Sequence, residues 1–190
     1  MLPYPITVND LEEIMDELYK MDVRIIENNQ YTRRESIIIS GIPDNVPHNQ
    51  LEETVIHVLK SIGLNSLSSY SISACHRLRK NNKDRFPART IVRFTNRKMV
   101  AFCLENRNRL LDVKNEIKMN LRIYESLCAS NEQIYKKCFN LKKYNLIKDY
   151  YIRNGFVKIV FADNRIKKIK HPDDLYHYFK DYYDSENLYN

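Results

Sequence analysis

The spacing of apolar residues changes character along the chain, and each change marks an element. Leu11, Ile14, Leu18, Met21 and Ile25 recur at intervals of 3, 4, 3 and 4, an a/d seam of about two heptads. Thr7 with Asp10, and Asn9 with Glu12, each set a polar residue three places ahead of a carboxylate, the pattern that starts a helix. The seam predicts an N-terminal helix that self-associates or docks on a partner; a helix packed on its own domain gives the same pattern. Asn28 takes the next d position, and Glu17 at g faces Asp22 at e of a parallel partner, a repulsive pair.

After a polar link from Gln30 to Glu35 the pattern shortens. Ile37-Ile38-Ile39, closed by Ser40-Gly41-Ile42-Pro43, predicts a buried strand with a hard stop. Asn49 with Glu52 predicts a helix start, and Leu51, Val55, Ile56, Val58, Leu59 and Ile62 a face laid on a sheet, with Gly63 ending it. A second strand is expected within Leu67 to Leu78, Ile72 and Ala74 alternating with Ser71, Ser73 and Cys75. In the third, Arg89, Ile91 and Arg93 point one way while Thr90, Val92 and Phe94 point to the core. Thr95 or Asn96 caps a helix carrying Met99, Phe102, Cys103 and Leu110, with Leu111 near its end. Met119, Leu121 and Ile123 predict a fourth strand within Lys118 to Tyr124. The order β-α-β-β-α-β places both helices on one face of a four-stranded antiparallel sheet and leaves the other open. That is the expected architecture of an RNA-recognition module.

Ser130 with Gln133 predicts the start of another helix, with Ile134, Cys138 and Leu141 along one side and Asn145 beyond them. Asp149-Tyr150-Tyr151-Ile152, Asn154-Gly155 and Phe156 to Phe161 predict a hairpin, because Asn-Gly suits the positive φ of a type I′ turn. Pro172 with Asp173 and Asp174 opens a last helix carrying Leu175, Tyr176, Tyr178, Phe179 and Tyr182. The expected class is α+β: a coiled-coil-like helical arm over 1–32, an RNA-recognition-like sandwich over 33–126, a small basic C-terminal domain with a hairpin over 127–184, and a tail over 185–190, with fraying expected from Asp184 onward.

Charge sharpens this division. Residues 1–32 hold seven acids against Lys20 and Arg24, a net of −5, whereas residues 33–125 net +8 and residues 126–190 net +4. Residues 76–109 alone carry eleven Lys/Arg against Asp84 and Glu105. Such a concentration suits a polyanion, since each neutralised phosphate releases condensed counterions; a solvated basic loop is the plainer alternative. The candidate nucleic-acid contacts here are His76, Arg77, Arg79, Lys80, Lys83, Arg85, Arg89, Arg93 and Arg97. RNA-recognition modules stack bases on rings of their first and third strands, but here Ile38, Arg89 and Ile91 occupy those places and Phe94 faces the core. Binding of the phosphate backbone by Arg and Lys is therefore favoured, with guanidinium stacking. Residues 126–170 hold eleven bases against three acids, and Lys136, Lys137, Lys142, Lys143, Arg153 and Lys158 are the candidates on this second surface. Tyr144, Tyr150 and Tyr151 stand among them and could stack unpaired bases at ~1–3 kcal/mol each; half-buried sheet positions are the simpler reading of each.

No catalytic constellation is legible. The three glycines form no phosphate loop, His76 lacks a carboxylate partner in sequence, and Asp173-Asp174 reads as helix-start charge. Cys75, Cys103, Cys128 and Cys138 include no CxxC pair and read as reduced, mostly buried thiols. The expectation is a nonenzymatic protein with no cofactor and no metal. No apolar run reaches the ~18 residues of a membrane span, and Met1-Leu2-Pro3-Tyr4-Pro5 lacks the regions of a signal peptide. An intracellular location, cytoplasmic or nuclear, is expected.

The chain resembles a known family. The heptad arm, Ile39-Ser40-Gly41-Ile42-Pro43, His76-Arg77-Leu78 with basic residues behind, and Arg89-Thr90-Ile91-Val92-Arg93-Phe94 are similar to two related groups. These are the baculovirus few-polyhedra (FP) proteins and the nucleic-acid-binding first-frame proteins of LINE-type retrotransposons. The likeness continues through Ile123-Tyr124-Glu125-Ser126-Leu127, Asn131, Leu141-Lys142-Lys143 and Arg153-Asn154-Gly155, covering roughly residues 10–175 in order. It implies a self-associating coiled coil, a non-standard RNA-recognition fold and a basic C-terminal domain that together bind single-stranded RNA or DNA. The arm is shorter than the trimeric stalk of the retrotransposon proteins, which tilts the resemblance toward the FP branch. That branch implies a viral protein of a host cell, virion-associated, whose alternative role is virion or occlusion-body morphogenesis. There, viral structural proteins are the partners and nucleic acid is secondary.

Overall fold

The computed structural model of the chain describes residues 7–80, 85–112 and 120–187. The protein is α+β, with a long N-terminal helix, α1 (Val8–Tyr31), two small antiparallel sheets and C-terminal helices. It divides into two compact units: residues 33–126, and the first 32 residues together with residues 127–190.

In the 33–126 unit, β1 (Ser36–Ser40), β2 (Ile72–Arg77), β3 (Thr90–Phe94) and β4 (Arg122–Glu125) pair antiparallel in the order β2-β3-β1-β4. The triple isoleucine takes a central strand because it is apolar on both faces. Ile37 and Ile39 are fully buried in the core, and Ile38 on the opposite face is 7% exposed. Helices α2 (His48–Ser61) and α3 (Arg97–Asn106) send Leu51, Val55, Val58, Leu59, Val100 and Cys103 into the core that holds Ile37, Ile39, Val92, Phe94 and Ile123.

Several local expectations change. The Asn49/Glu52 box does not cap α2; the helix begins one residue before Asn49, behind Pro47, whose carbonyl accepts from the Gln50 amide at 3.0 Å. Asn96 is the cap of α3, accepting from the Lys98 amide at 2.9 Å; a 3-10 turn (Arg107–Arg109) follows α3, and Leu110 and Leu111 lie in the helical residues after it, Leu110 buried and Leu111 exposed. β4 spans Arg122–Glu125, and Leu121 stands just before it; Lys118 and Met119 of the expected strand lie outside the described residues. β1 ends at Ser40, and Gly41 follows with a φ of +95° that suits glycine. A Cβ there would stand 2.1 Å from the Asn120 carbonyl oxygen, so the chain before β4 passes directly over it.

The other unit is built on β5 (Asp149–Arg153), β6 (Phe156–Val160) and β7 (Ile166–Lys168), a meander in the order β5-β6-β7. The Asn154-Gly155 turn has the expected positive φ at both residues, +55° and +78°. Helix α4 (Ala129–Lys143) lays Ile134, Cys138 and Leu141 against Val157 and Ile159, and Ile147, Ile169 and Leu175 complete the core. The last helix is broken in two: α5 (Pro172–Tyr178) and α6 (Lys180–Asn187) flank Phe179 at φ −131°, ψ 39°. The expected tail from residue 184 is thus helical through Asn187; residues 188–190 lie outside the described ones.

Helix α1 starts at the Thr7/Asp10 box, in which the Asp10 carboxylate accepts from the Thr7 amide at 2.7 Å. Its last turns do not form a separate arm. Gln30 is 3% exposed, and its Oε1 accepts from the Cys128 amide at 2.9 Å and from Asn131 Nδ2 at 3.1 Å. Asn131 Nδ2 also donates to the Gly155 carbonyl at 2.9 Å. Gln30 therefore serves the entry of α4 where a Ser130/Gln133 box was expected, because α4 begins at Ala129 behind a Cys128 cap that offers no side-chain bond. A Cβ on Gly155 would come within 2.3 Å of Gln30 Nε2. The turn, the glutamine and the helix entry form one buried polar clasp.

Candidate nucleic-acid interface

Strand parity decides which side chains face away from the core. Along β3, Thr90, Val92 and Phe94 are buried in or beside the core, so Ile91 and Arg93 lie on the other face. The register then sets His76 opposite Ile91, Ile91 opposite Ile38, and Ile38 opposite Tyr124. A single row, imidazole, isoleucine, isoleucine, phenol, runs across all four strands on the face opposite the helix-packed core. His76 is exposed, Tyr124 is 37% exposed, and Ile91 is half-buried. Strands lie ~4.8 Å apart, so the two ring-bearing positions stand about 14 Å apart, with Ile91 half-buried and Ile38 only 7% exposed between them.

His76 reaches this face through a β-bulge. The β2–β3 register shifts between Ile72 and Ala74, and the Ser73 hydroxyl there donates to the Arg93 carbonyl at 3.2 Å. Ile72 stays opposite Phe94, but one extra residue puts Cys75, not Ala74, opposite Val92. The expected alternation is inverted beyond the bulge. Without that inversion His76 would point to the core.

Cations surround the row unevenly. Arg93 pairs with Ser36 across the strands, and its guanidinium lies 3.3 Å from Glu35 while remaining 54% exposed. Arg122, opposite Ser40, and Arg89 are exposed beyond the other side of the row. Arg79 and Arg85 are exposed as well. Arg77 is not a free contact: it donates to the carbonyls of Ile42 (3.1 Å), Ala88 (3.2 Å) and Pro43. These bonds fasten two loops together, and only 20% of the side chain is exposed. Lys80 is held by Asp44 at 2.8 Å, and Asp44 also accepts from the Ala88 amide at 2.8 Å. The Lys80 hydrogen bond, then the Ala88 amide, hold the Asp44 carboxyl below its ordinary range. Arg97 stands in the first turn of α3, in the helix layer rather than on the face of the row. Lys83 lies outside the described residues.

On the second unit the candidates do not form one surface. Lys136, Lys137, Lys142 and Lys143 belong to α4, whereas Arg153 and Lys158 alternate with the core residues Ile152, Val157 and Ile159 on the far face of the sheet. The lysines of α4 are also engaged. Lys136 is 3.4 Å from Glu132, Lys142 is 2.6 Å from Asp149, and Lys137 and Lys143 stand 5.6 and 5.7 Å from the rings of Tyr183 and Tyr144. The Lys142 bond, with the Tyr150 amide, keeps the Asp149 carboxyl below its usual range.

Beside α4 is an open cleft of about 490 Å³ lined by Tyr135, Phe139, Lys142, Lys143, Asp149 and Tyr150. Tyr135 and Tyr150 meet edge to face at 5.2 Å. Burial, then Tyr135, push the Tyr150 hydroxyl up to about 12. Phe139 is 59% exposed at the rim.

Sequence reasoning missed Tyr124, Arg122, Tyr135 and Phe139. For Tyr124 the signal was present: Leu121 and Ile123 as core positions leave Tyr124 pointing outward. Burial pushes the Cys75 thiol to about 11 and the Cys103 and Cys138 thiols to about 12, which suits packing rather than nucleophilic roles. Among the described residues no group of three or more His, Cys, Asp or Glu could hold a metal ion, and no helix is long and apolar enough to cross a membrane. No protein-family model matches the chain, and no curated protein matches it.

Proposed function

We propose that the protein is a nonenzymatic, single-strand-preferring nucleic-acid-binding protein of the FP/LINE first-frame type, with the open sheet face of the 33–126 unit as its principal contact. The observation that carries this reading is the His76–Ile91–Ile38–Tyr124 row with Arg93 on one side and Arg122 and Arg89 on the other. Rings and aliphatic side chains accept the faces of unpaired bases, and the flanking guanidiniums neutralise phosphates. The antiparallel order β2-β3-β1-β4, with a helix in each of the two connections, supports an RNA-recognition-type arrangement. The aromatic cleft beside α4 supplies an accessory contact, and α1 supplies self-association.

Titration of a fluorescent single-stranded 20-mer, as RNA and as DNA, tests the reading. With about four phosphates neutralised, affinity falls some twentyfold between 0.1 and 0.3 M salt. Arg89→Glu with Arg93→Glu abolishes binding without unfolding the unit. Binding indifferent to salt, or to this reversal, would remove the sheet as the site.

A second reading has its own observation. The apolar seam of α1 is exposed along its length, as in a protein whose main partners are other proteins in a viral assembly. Retention of that assembly role by the Arg89→Glu/Arg93→Glu variant would favour it.

A further inference from the structure

Helix α1 has two faces with different fates. Tyr19, Val23, Ile26, Glu27 and Gln30 line one side, and that side is occupied within the unit. Tyr19 donates to Asp174 at 2.6 Å and lies edge-on to His171 at 5.3 Å; Ile26 is 5% exposed; Glu27 is 3.6 Å from Lys168. Roughly 140° around the helix, at 100° per residue, Leu11, Ile14, Leu18, Met21 and Ile25 are each between 51% and 55% exposed. The inner face holds α1 in place, so the outer seam is presented on a fixed scaffold. A pre-ordered helix loses less entropy on association than a free one.

We infer that this seam pairs antiparallel with the same seam of a second copy, about a two-fold axis near Tyr19 and Lys20. This rests on reading α1 as a self-association helix and adds its direction and stoichiometry. The charges beside the seam choose the direction. In a parallel pair Glu17 meets Asp22 of the second copy, twice, carboxylate against carboxylate. In the antiparallel register that sets Leu18 against Met21 and Ile14 against Ile25, Glu17 meets Arg24 of the second copy, twice. Sliding that register by a heptad in either direction brings Glu17 against Glu17 or Arg24 against Arg24. One arrangement therefore buries the whole apolar seam and joins opposite charges at both symmetric positions. Its weak layers are the ends, where Leu11 meets Asn28. Glu17 already shares Lys20 with Asp16, at 3.0 and 2.7 Å, but it stays 66% exposed and open to a second cation.

Charge exchange separates the directions by sign. Sedimentation equilibrium of the full chain is expected to show a dimer. Glu17→Arg sets the new guanidinium against Arg24 of the second copy in the antiparallel pair and weakens the dimer about tenfold; the double variant Glu17→Arg/Arg24→Glu restores it. In a parallel pair the same Glu17→Arg would meet Asp22 and tighten it, which would overturn the proposal. Cross-linking in a Cys75→Ser background gives a second readout. Copies carrying Ile14→Cys are expected to join copies carrying Ile25→Cys and not each other, and an Ile14→Cys homodimer would overturn the proposal. All four positions are exposed, so folding is not at stake. A chain monomeric at every concentration would instead remove self-association itself.

Discussion

The two basic stretches carry nearly equal formal charge, eleven bases against two acids over residues 76–109 and eleven against three over residues 126–170, yet they deploy it differently. On the four-stranded sheet Arg77 and Lys80 are spent on carbonyls and on Asp44, and Arg97 stands in the helix layer. Arg89 and the Glu35-paired Arg93, with Arg122 of β4, nevertheless flank one row of two rings and two isoleucines. On the C-terminal unit most of the α4 charge is met by acids and tyrosines, and the remainder is split between two faces. A count of charges measures what a surface could attract at a distance. Their arrangement around an apolar platform decides what it can hold.

The bluntest way to break the comparison is to remove one platform at a time. Gly41→Ala forces a left-handed φ on alanine and drives its Cβ into the Asn120 carbonyl. We expect it to destabilise the 33–126 unit by about 3 kcal/mol or more and to eliminate oligonucleotide binding. Gly155→Ala likewise forces a left-handed φ on alanine and brings its Cβ within 2.3 to 2.7 Å of Nε2, Cδ and Cγ of the buried Gln30; it should cost about 2 kcal/mol or more in the other unit and leave most of the binding intact. Calorimetry resolving two transitions, alongside the titration, checks both. Equal losses of binding would show that the surfaces are equivalent.

A finer cut compares single contacts. Tyr124→Ala removes one stacking ring and should weaken single-strand binding about tenfold, within the ~1–3 kcal/mol of a base–aromatic stack. Lys142→Ala should weaken it no more than about threefold, because that ammonium is already shared with Asp149. The order of these two losses, read from binding curves at one salt concentration, tests which surface leads.

The smallest effect is one of pH. The folded carboxyl of Asp149 titrates below its unfolded value, so its ion pair with Lys142 stabilises the unit above the unfolded value. That contribution fades as pH falls through the folded one. The pair is exposed, so the difference in urea midpoint between the wild type and Asp149→Asn should be slight at pH 7 and vanish in acid.

The legible parts of the fold were those specified by neighbours in sequence. The triple isoleucine, the apolar face of α2, the Asn154-Gly155 hairpin and the Pro172 helix start each depend on a few adjacent residues. What escaped depends on distant partners. The cap of α4 comes from Gln30, 98 positions before the amide it receives. Arg77 spends its donors on carbonyls more than ten residues away, three bonds that a basic run in sequence cannot reveal. The candidate site was half legible for the same reason. The outward parity of Ile91 and Arg93 follows from alternation, whereas the orientation of His76 follows from a bulge that alternation does not signal.

The clasp of Gln30, Asn131 and Gly155 also has a consequence for biosynthesis. It closes a unit whose halves are separated by the whole of residues 33–126. A chain emerging from the ribosome can complete the inserted unit first, since domains fold as they appear. The leading helix must then wait for more than a hundred further codons to be read before its docking surface exists. During that interval its apolar side chains are available to another nascent chain on the same messenger.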